Sequence, residues 1–178
     1  MNTNHKSDFR ISSLKRLKFY SSFKKYSKSK KIVEKLKYII KKEGAKNILL
    51  FVPLDLEVNI KPLILELRRA KKGVFVPFMQ DDSFKMVRYR LPLNKKRFGI
   101  YEPQNSFFKP KKIDLAIVPI VGVDSLNKRI GFGKGMYDRF FYRLGYKPTI
   151  VFTQLVLCKS KEILSDNYDI KADYIITG

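Results

Sequence analysis

Apolar residues recur every three or four positions in four stretches of the chain, a spacing typical of amphipathic helices. The first two stretches, residues 7–26 and 30–43, predict two successive helices, the second closed by Gly44. A third predicted helix begins at Asn59 as its N-cap. Its apolar face consists of Ile60, Leu63, Ile64 and Leu67. A fourth helix is predicted after a glycine-rich segment, with Tyr137, Phe140, Phe141 and Leu144 on one face.

Short runs of consecutive apolar residues alternate with these helices and predict buried strands. The first two predicted strands end at Pro53 and Pro77. Apolar strands that alternate with amphipathic helices indicate a mostly parallel sheet flanked by helices on both faces. We therefore expect a single α/β domain over residues 1–178, with a Rossmann-like three-layer arrangement. The predicted strands are 47–52, 73–76, 84–89, 114–120, 149–153 and 174–177.

The composition excludes several classes of protein and site. With 44% hydrophobic residues, the 178-residue chain has enough apolar side chains for a packed core. No apolar run is long enough to span a bilayer, and the polar N-terminus lacks the apolar core of a signal peptide, so we expect a cytoplasmic protein. A lone cysteine, Cys158, and a lone histidine, His5, exclude an intrachain disulfide, a cysteine-rich zinc site and a histidine-centred triad.

The net charge of +22 has two possible meanings. It could indicate a protein that binds nucleic acid, or a lysine-rich surface on a protein that binds anionic small molecules. The basic residues are spread over the whole chain, although the first 42 residues are the richest. No zinc finger, basic leucine zipper or RNA-binding signature is visible, which favours the small-molecule interpretation.

The segment 124–139, DSLNKRIGFGKGMYDR, is the strongest candidate for chemistry. Gly131, Gly133 and Gly135 stand at alternate positions just before the fourth predicted helix. Glycines allow backbone N–H groups to close around a phosphate, and lysine and arginine supply the matching charge. The spacing matches neither the Walker pattern nor the dinucleotide-binding fingerprint. A plain turn is the alternative, in which Tyr137 belongs to the core and Asp138 only complements the helix dipole.

This segment resembles the signature of the 5-formyltetrahydrofolate cyclo-ligase family, also called methenyltetrahydrofolate synthetases. In that family a strand ending in Val-Pro or Met-Pro leads to Phe-Asp-x-x-Gly-x-Arg-Leu-Gly-x-Gly-x-Gly-Tyr-Tyr-Asp-Arg. Here Pro119 ends a predicted strand, Asp124 follows, and residues 129–139 read RIGFGKGMYDR. Two positions depart from the signature. Asn127 replaces a glycine, which is mild because Asn tolerates left-handed backbone angles, and Met136 replaces a tyrosine.

The resemblance extends over nearly the whole chain in the same order. The N-terminal KSDFR at 6–10 resembles the family's Lys-x-x-Leu-Arg, and VPLDLE at 52–57 resembles its folate-binding strand and loop. GIYEP at 99–103 and YDIKAD at 168–173 match two further family segments. Taken alone, each match has a structural alternative, such as a solvated helix face for Lys6, a helix-entry carboxylate for Glu57 and a turn aspartate for Asp169.

The resemblance implies an enzyme that converts 5-formyltetrahydrofolate and ATP to 5,10-methenyltetrahydrofolate, ADP and phosphate, with Mg²⁺ as cofactor. It implies catalytic roles for Lys134 and Arg129, and magnesium ligation by Asp138 and Asp169. It implies folate contacts from Val52, Glu57, Phe132 and Met136. The implied ATP-binding residues are Lys6, Arg10, Arg129, Gly131, Phe132, Gly133, Lys134, Gly135, Met136 and Tyr137.

We expect a monomer with small-molecule substrates, no obligate protein partner, no membrane partner and no nucleic-acid partner. Two alternatives stay open. The charge could indicate a nucleic-acid-binding protein on the same scaffold, and Met136 could indicate a nucleotide-binding homologue with reduced catalysis.

Overall fold

The computed structural model describes residues 3–96, 99–104 and 112–178. Helices and strands alternate along the chain much as the apolar pattern predicts. In chain order they are α1 (Thr3–Lys42), β1 (Asn47–Leu49), α2 (Lys61–Arg69), β2 (Gly73–Gln80), β3 (Ser83–Arg88), β4 (Asn94–Lys95), β5 (Tyr101–Glu102), β6 (Leu115–Pro119), β7 (Gly122–Val123), β8 (Arg129–Ile130), α3 (Met136–Tyr142), β9 (Thr149–Gln154) and β10 (Tyr174–Thr177).

A six-stranded sheet in the order β10-β9-β6-β1-β2-β3 forms the centre of the domain. Neighbouring strands are parallel except β2 and β3, which form an antiparallel hairpin. The prediction of a mostly parallel sheet is therefore confirmed. Because β1, β6 and β9 are parallel neighbours, the loops that follow them leave from the same edge of the sheet.

Each face of the sheet is covered by its own apolar core, because successive side chains of a strand point to opposite faces. On β6, Ile117 packs in a cluster with residues of α1 and α2. Its neighbours Ala116 and Val118 pack in a second cluster with Tyr137 and Phe140 of α3. The three-layer arrangement predicted from the sequence is confirmed.

The prediction of two N-terminal helices is wrong, because α1 is one continuous helix of 40 residues. The polar stretch around residues 27–30 contains no glycine or proline that would break it. Its polar side chains find partners instead. Ser29 is buried and accepts the backbone N–H of Asn59, while Lys28 donates to the carbonyl of Gly178.

The predicted end of α1 is confirmed. Gly44 has a positive φ of 61° and donates to Lys41, while Ala45 donates to Ile40. These two hydrogen bonds form the Schellman arrangement that commonly closes a helix at glycine.

Other boundaries also differ from prediction. β1 ends at Leu49, before the predicted strand end at residue 52. Pro77 does not end β2, because it lies opposite Met86 in the hairpin and β1 pairs with β2 only as far as Phe75. Tyr89 donates its backbone N–H to the carbonyl of Val74, so these two residues form a hydrogen-bonded pair of the antiparallel ladder. Because such pairs alternate with non-hydrogen-bonded pairs, Pro77 and Met86 form a non-hydrogen-bonded pair. The ring nitrogen of Pro77 therefore points away from β3, and its missing N–H costs no ladder hydrogen bond.

The N-cap of α2 is Ile60 and not Asn59, whose side-chain oxygen accepts the N–H of Lys61 at 3.2 Å. Within the described residues, no helix is both long and apolar enough to cross a membrane.

Candidate active site

Three loops from the carboxyl edge of the sheet and the start of α1 meet in one region. Residues 50–57 follow β1, the segment 120–135 follows β6, and residues 155–169 follow β9. Lys6 and Arg10 of α1 reach two of these loops, although more than 120 residues separate them from their partners. These contacts bring the two N-terminal cations to the carboxyl edge of the sheet.

The glycine-rich segment, residues 131–135, runs from β8 into α3 through a backbone that needs glycine. Gly133 and Gly135 have φ values of 98° and 61°, and Gly135 is the N-cap of α3. Just before the segment, Asn127 also adopts a left-handed φ of 59°. This explains how asparagine can replace the family's glycine at that position.

Arg129 is buried beneath the glycine-rich segment and links the end of β6 to the first turn of α3. Its side chain is only 5% exposed, and its Nε and Nη2 donate to the carbonyl of Pro119 at 3.4 and 3.3 Å. Nη1 donates to Oδ2 of Asp138 at 3.1 Å, and the guanidinium lies over the ring of Tyr137. A Cβ on Gly131 would come within 2.3 Å of this guanidinium. A side chain at position 131 would therefore have to displace the buried guanidinium of Arg129.

Glu57 is buried beside this arginine. It is 9% exposed, and its Oε2 accepts the backbone N–H of Leu54 at 2.8 Å. Burial raises the pKa of Glu57 to about 7, although the Leu54 N–H and the charges of Arg129 and Lys25 act in the opposite direction. The loop after β1 is held in turn by α1, since Lys25 donates to the carbonyl of Asp55 at 2.6 Å.

Tyr137 faces the same buried charges. Burial and the nearby charge of Glu57 raise its pKa well above the ordinary value for tyrosine, with Arg129 opposing the shift. Glu57, Arg129 and Tyr137 thus form one electrostatically coupled group.

The predicted folate contact Val52 is also buried, at 8% exposure, and belongs to the core on the α1 side of the sheet.

Lys6 and Arg10 contact the site from the first turns of α1. Arg10 donates through Nε to the carbonyl of Gly131 at 2.9 Å, and its guanidinium lies about 3.7 Å from where a Cβ of Gly133 would stand. Lys6 binds Asp169 at 2.6 Å and Asp166 at 2.9 Å. Although burial lowers the pKa of Lys6, these hydrogen bonds raise it above the usual value.

The two predicted magnesium ligands lie next to each other, but each already has a cationic partner. Asp138 binds Arg129 through Oδ2, and its Oδ1 accepts the backbone N–H of Ile170 at 3.3 Å, immediately after Asp169. In the part of the chain that the structure describes, no group of three or more acidic, histidine or cysteine side chains could hold a metal ion. The pair fits a magnesium ion held mainly by substrate phosphates, which needs only one or two protein carboxylates.

The remaining predicted contacts lie around the glycine-rich segment. Lys134 is exposed, and Phe132 is 39% exposed. Met136 is half-buried against the core on the α3 side, and its carbonyl accepts the Ser83 hydroxyl at 3.3 Å. The methionine side chain at this position therefore supplies an apolar contact with that core.

The contacts of Arg139, which hold the glycine-rich segment against the β2–β3 hairpin, were not predicted from the sequence. Arg139 donates to the carbonyl of Lys134, in the middle of the glycine-rich segment, and to the carbonyl of Asp82 at the tip of the β2–β3 hairpin. A Cβ on Gly135 would lie 2.8 Å from the Nη1 of Arg139. Asp82 also forms a two-pronged ion pair with Arg143, at 3.0 and 2.8 Å. Since 57 residues separate Arg139 from Asp82, no local sequence pattern indicates the pair.

Asp124 is the second residue that was missed. It is fully buried and accepts hydrogen bonds from the backbone of Leu126 and Lys128, and from both the backbone and the hydroxyl of Ser165. Although burial raises it, these bonds lower the pKa of Asp124 overall. It ties the turn between β7 and β8 to the loop that carries Asp169. Its place in the family signature is the one sequence signal that could have singled it out.

The buried carboxyl of Glu57 should make the unliganded protein less stable as the pH rises. The folded state binds the proton up to about pH 7, whereas the unfolded chain releases it near pH 4.5, so stability falls across that window. The loss should be on the order of 2–3 kcal/mol between pH 5 and pH 8. In urea unfolding at both pH values, Glu57→Gln should abolish most of this loss.

Glu66→Gln is the matched control, because Glu66 forms a surface ion pair with Lys37. It should leave the pH dependence of wild type unchanged. If Glu57→Gln and wild type lose the same stability between the two pH values, the pKa of Glu57 is not raised in the folded state.

A protein-family model described as the 5-formyltetrahydrofolate cyclo-ligase family matches residues 2–178. The 5-formyltetrahydrofolate cyclo-ligase of Haemophilus influenzae is 25% identical over 187 residues, which cover 100% of both chains. The enzyme of the same name from Mycoplasma pneumoniae is 27% identical, with 88% of each chain covered.

Two solved structures share the fold over almost the whole chain. The 5,10-methenyltetrahydrofolate synthetase of Mycoplasma pneumoniae superposes with a TM-score of 0.77 at 25% identity, covering 96% of this chain and 97% of that one. The NMR structure of the Aquifex aeolicus 5,10-methenyltetrahydrofolate synthetase gives a TM-score of 0.78 at 28% identity, covering 97% and 89%. With its signature segment folded over a buried arginine and a family match along its full length, the chain belongs to the 5-formyltetrahydrofolate cyclo-ligase family of ligases.

Proposed function

We propose that the chain catalyses the ATP-dependent cyclisation of 5-formyltetrahydrofolate to 5,10-methenyltetrahydrofolate, with release of ADP and phosphate. The observation that carries this proposal is the convergence of the glycine-rich segment, the N-terminal cations and the buried Glu57 at one edge of the sheet. Family membership supports the same activity.

The reaction must activate a poor leaving group. A formamide oxygen does not leave by itself, so the γ-phosphoryl group of ATP is first transferred to that oxygen, which gives an imidoyl phosphate and ADP. N10 of the folate then attacks the activated carbon, the new C–N bond closes the ring, and phosphate leaves with the original formyl oxygen. The work of the protein in such a transfer is positioning and charge stabilisation.

The glycine-rich segment is suited to hold the phosphates. Its backbone N–H groups, with the exposed Lys134 between Gly133 and Gly135, can approach a phosphoryl group closely. Arg10 already lies against Gly131 and adds a second cation at the segment. Arg129 is buried and paired, so its role is to fix the shape of the segment and to contribute a positive field from beneath, without a direct phosphate contact.

Glu57 is suited to orient the folate. Its carboxyl group lies at the carboxyl end of β1, where it can accept hydrogen bonds from folate N–H groups once the substrate excludes water. Because its pKa is about 7, substrate N–H donors would favour the ionised form and convert an unfavourable buried charge into a satisfied one.

Asp169 and Asp138 are the residues that would hold magnesium with the ATP phosphates. A bound Mg²⁺ supplies charge neutralisation across the phosphates and orients the transferring group. Asp169 is the more available ligand, because Lys6 can transfer its contact to a phosphate, whereas Asp138 is locked to the buried Arg129.

The activity itself is tested by mixing the protein with ATP, Mg²⁺ and 5-formyltetrahydrofolate and following the near-ultraviolet absorbance of the methenyl product. We expect one ATP consumed per ring closed, and no product when either ATP or the divalent metal is omitted. Ring closure without loss of ATP would contradict the proposed reaction.

Lys134→Ala should lower the rate of cyclisation by roughly 10–1000-fold, because the variant removes the cation placed among the glycines. The melting temperature of the unliganded variant should stay near that of wild type, since an exposed lysine contributes little to stability. Stopped-flow measurement of single turnovers gives the rate of the chemical step directly. Full activity in this variant would assign the phosphate contacts to Arg10 and Lys6 instead.

Arg139→Gln should loosen the glycine-rich segment and lower kcat/KM for ATP by roughly 10–100-fold, because a small misplacement of a reacting group is costly. Most of the effect should appear as a higher KM for ATP, with the KM for folate nearly unchanged. Arg143→Gln is the control, because Arg143 binds the same Asp82 but is not hydrogen-bonded to the segment. Equal losses in the two variants would show that the hairpin contact, and not the bond to Lys134, matters.

A further inference from the structure

The outer face of α1 carries large side chains that nothing in the described structure covers. Phe19, Phe23 and Tyr26 are 62%, 76% and 82% exposed, and Ile11 is 51% exposed two turns earlier. The i, i+4 and i+7 spacing of the three aromatic residues places them on one side of the helix. Phe19 and Phe23 are in ring contact, with centroids 5.4 Å apart. These side chains form a contiguous apolar ridge, the kind of exposed patch that marks an interaction surface.

Lysines border this ridge, and the nearest acidic residues of α1, Asp8 and Glu34, lie beyond its two ends. Residues 11–33 contain eight lysine or arginine residues and no aspartate or glutamate. Exposed Lys15 lies one turn before Phe19, and exposed Lys30 lies one turn after Tyr26. Lys18 is also exposed and belongs to the same stretch. The surface formed by Ile11, Phe19, Phe23, Tyr26, Lys15, Lys18 and Lys30 is called the basic aromatic face below.

The opposite side of the helix is fixed to the domain. Leu17 is 1% exposed within the core, and Ser13 is buried as well. Ser21 donates to the carbonyl of Asp55, which ties the helix to the loop after β1. The basic aromatic face therefore lies on the outside of the domain, where Phe19 also contacts the neighbouring ring of Tyr20.

The charge of the face decides what can cover it. A second copy of the chain would bring two lysine-rich faces together, which like-charge repulsion opposes. Single-stranded nucleic acid is bound in basic grooves with aromatic stacking platforms, whereas Phe19 and Phe23 pack against each other on the outer side of a helix. A ridge of aromatic rings bordered by lysines fits the flat interface of an anionic bilayer, where rings insert at the headgroup level and lysines meet the lipid phosphates.

We propose that the basic aromatic face docks the protein reversibly on membrane surfaces rich in anionic lipids. Such docking is peripheral and requires no spanning helix, in agreement with the helices of the described chain. It revises the sequence-based expectation that the protein has no membrane partner, and it does not depend on the proposed enzymatic activity.

The test is co-sedimentation of the full-length chain with vesicles of phosphatidylcholine, with and without phosphatidylserine. We expect binding only when phosphatidylserine is present, and weaker binding at higher salt. The double variant Phe23→Ala/Tyr26→Ala should bind about tenfold more weakly, because it removes the inserted rings and keeps every charge. Tyr142→Ala is the matched control, since Tyr142 is 81% exposed on α3 and lies outside the face.

A second pair of variants distinguishes the effect of the lysines on the basic aromatic face from the effect of the protein's net charge on vesicle binding. Lys15→Gln/Lys18→Gln/Lys30→Gln should weaken binding clearly more than Lys71→Gln/Lys95→Gln/Lys161→Gln, which removes the same charge from exposed lysines elsewhere. Thermal melting of each variant checks that it is folded. Equal losses in the two triple variants would overturn the proposal, as would unchanged binding by Phe23→Ala/Tyr26→Ala. Stronger binding to a single-stranded RNA oligonucleotide than to the vesicles, lost in the same variants, would assign the face to nucleic acid.

Discussion

The ion pair between Arg129 and Asp138 is the interaction on which the candidate site depends. Both side chains are 5% exposed, so neither charge can stay buried without the other. The arginine also holds the carbonyl of Pro119 at the end of β6 and lies over Tyr137. A single buried guanidinium therefore links the central strand, the glycine-rich segment that crosses over it and the first turn of α3.

Around this pair, each of the other carboxylates of the site contacts a cation or a backbone N–H group. Asp124 ties the turn between β7 and β8 to the loop after β9, and Lys6 binds the aspartates of that loop. Glu57 also has one backbone N–H, from Leu54, but burial outweighs this contact and raises the pKa of the carboxyl group. A ligand that donates a hydrogen bond to this carboxylate stabilises its ionised form, which is why we propose Glu57 as the residue that recognises the folate.

The sheet and most of the elements followed from the sequence, because apolar runs and helical spacing report burial directly. The two-helix prediction for the N-terminus failed because a polar stretch was taken as a break, whereas Ser29 is buried with a backbone partner. The glycines were recognised from their spacing, but the partners of the charged residues were not. Arg129 and Asp138 were assigned to phosphate and metal, and their contact with each other is set by tertiary packing that spacing does not encode. Arg139 and Asp82 meet for the same reason.

A double-mutant cycle on the free protein tests the central claim most directly. The free energy of unfolding would be measured for wild type, Arg129→Gln, Asp138→Asn and the double variant, without nucleotide or metal. If the buried pair holds the segment in place, each single variant loses about 3–5 kcal/mol and the two residues show a coupling energy of about 2 kcal/mol. Additive losses, with a coupling below about 0.5 kcal/mol, would show that the two residues act independently and would contradict this account.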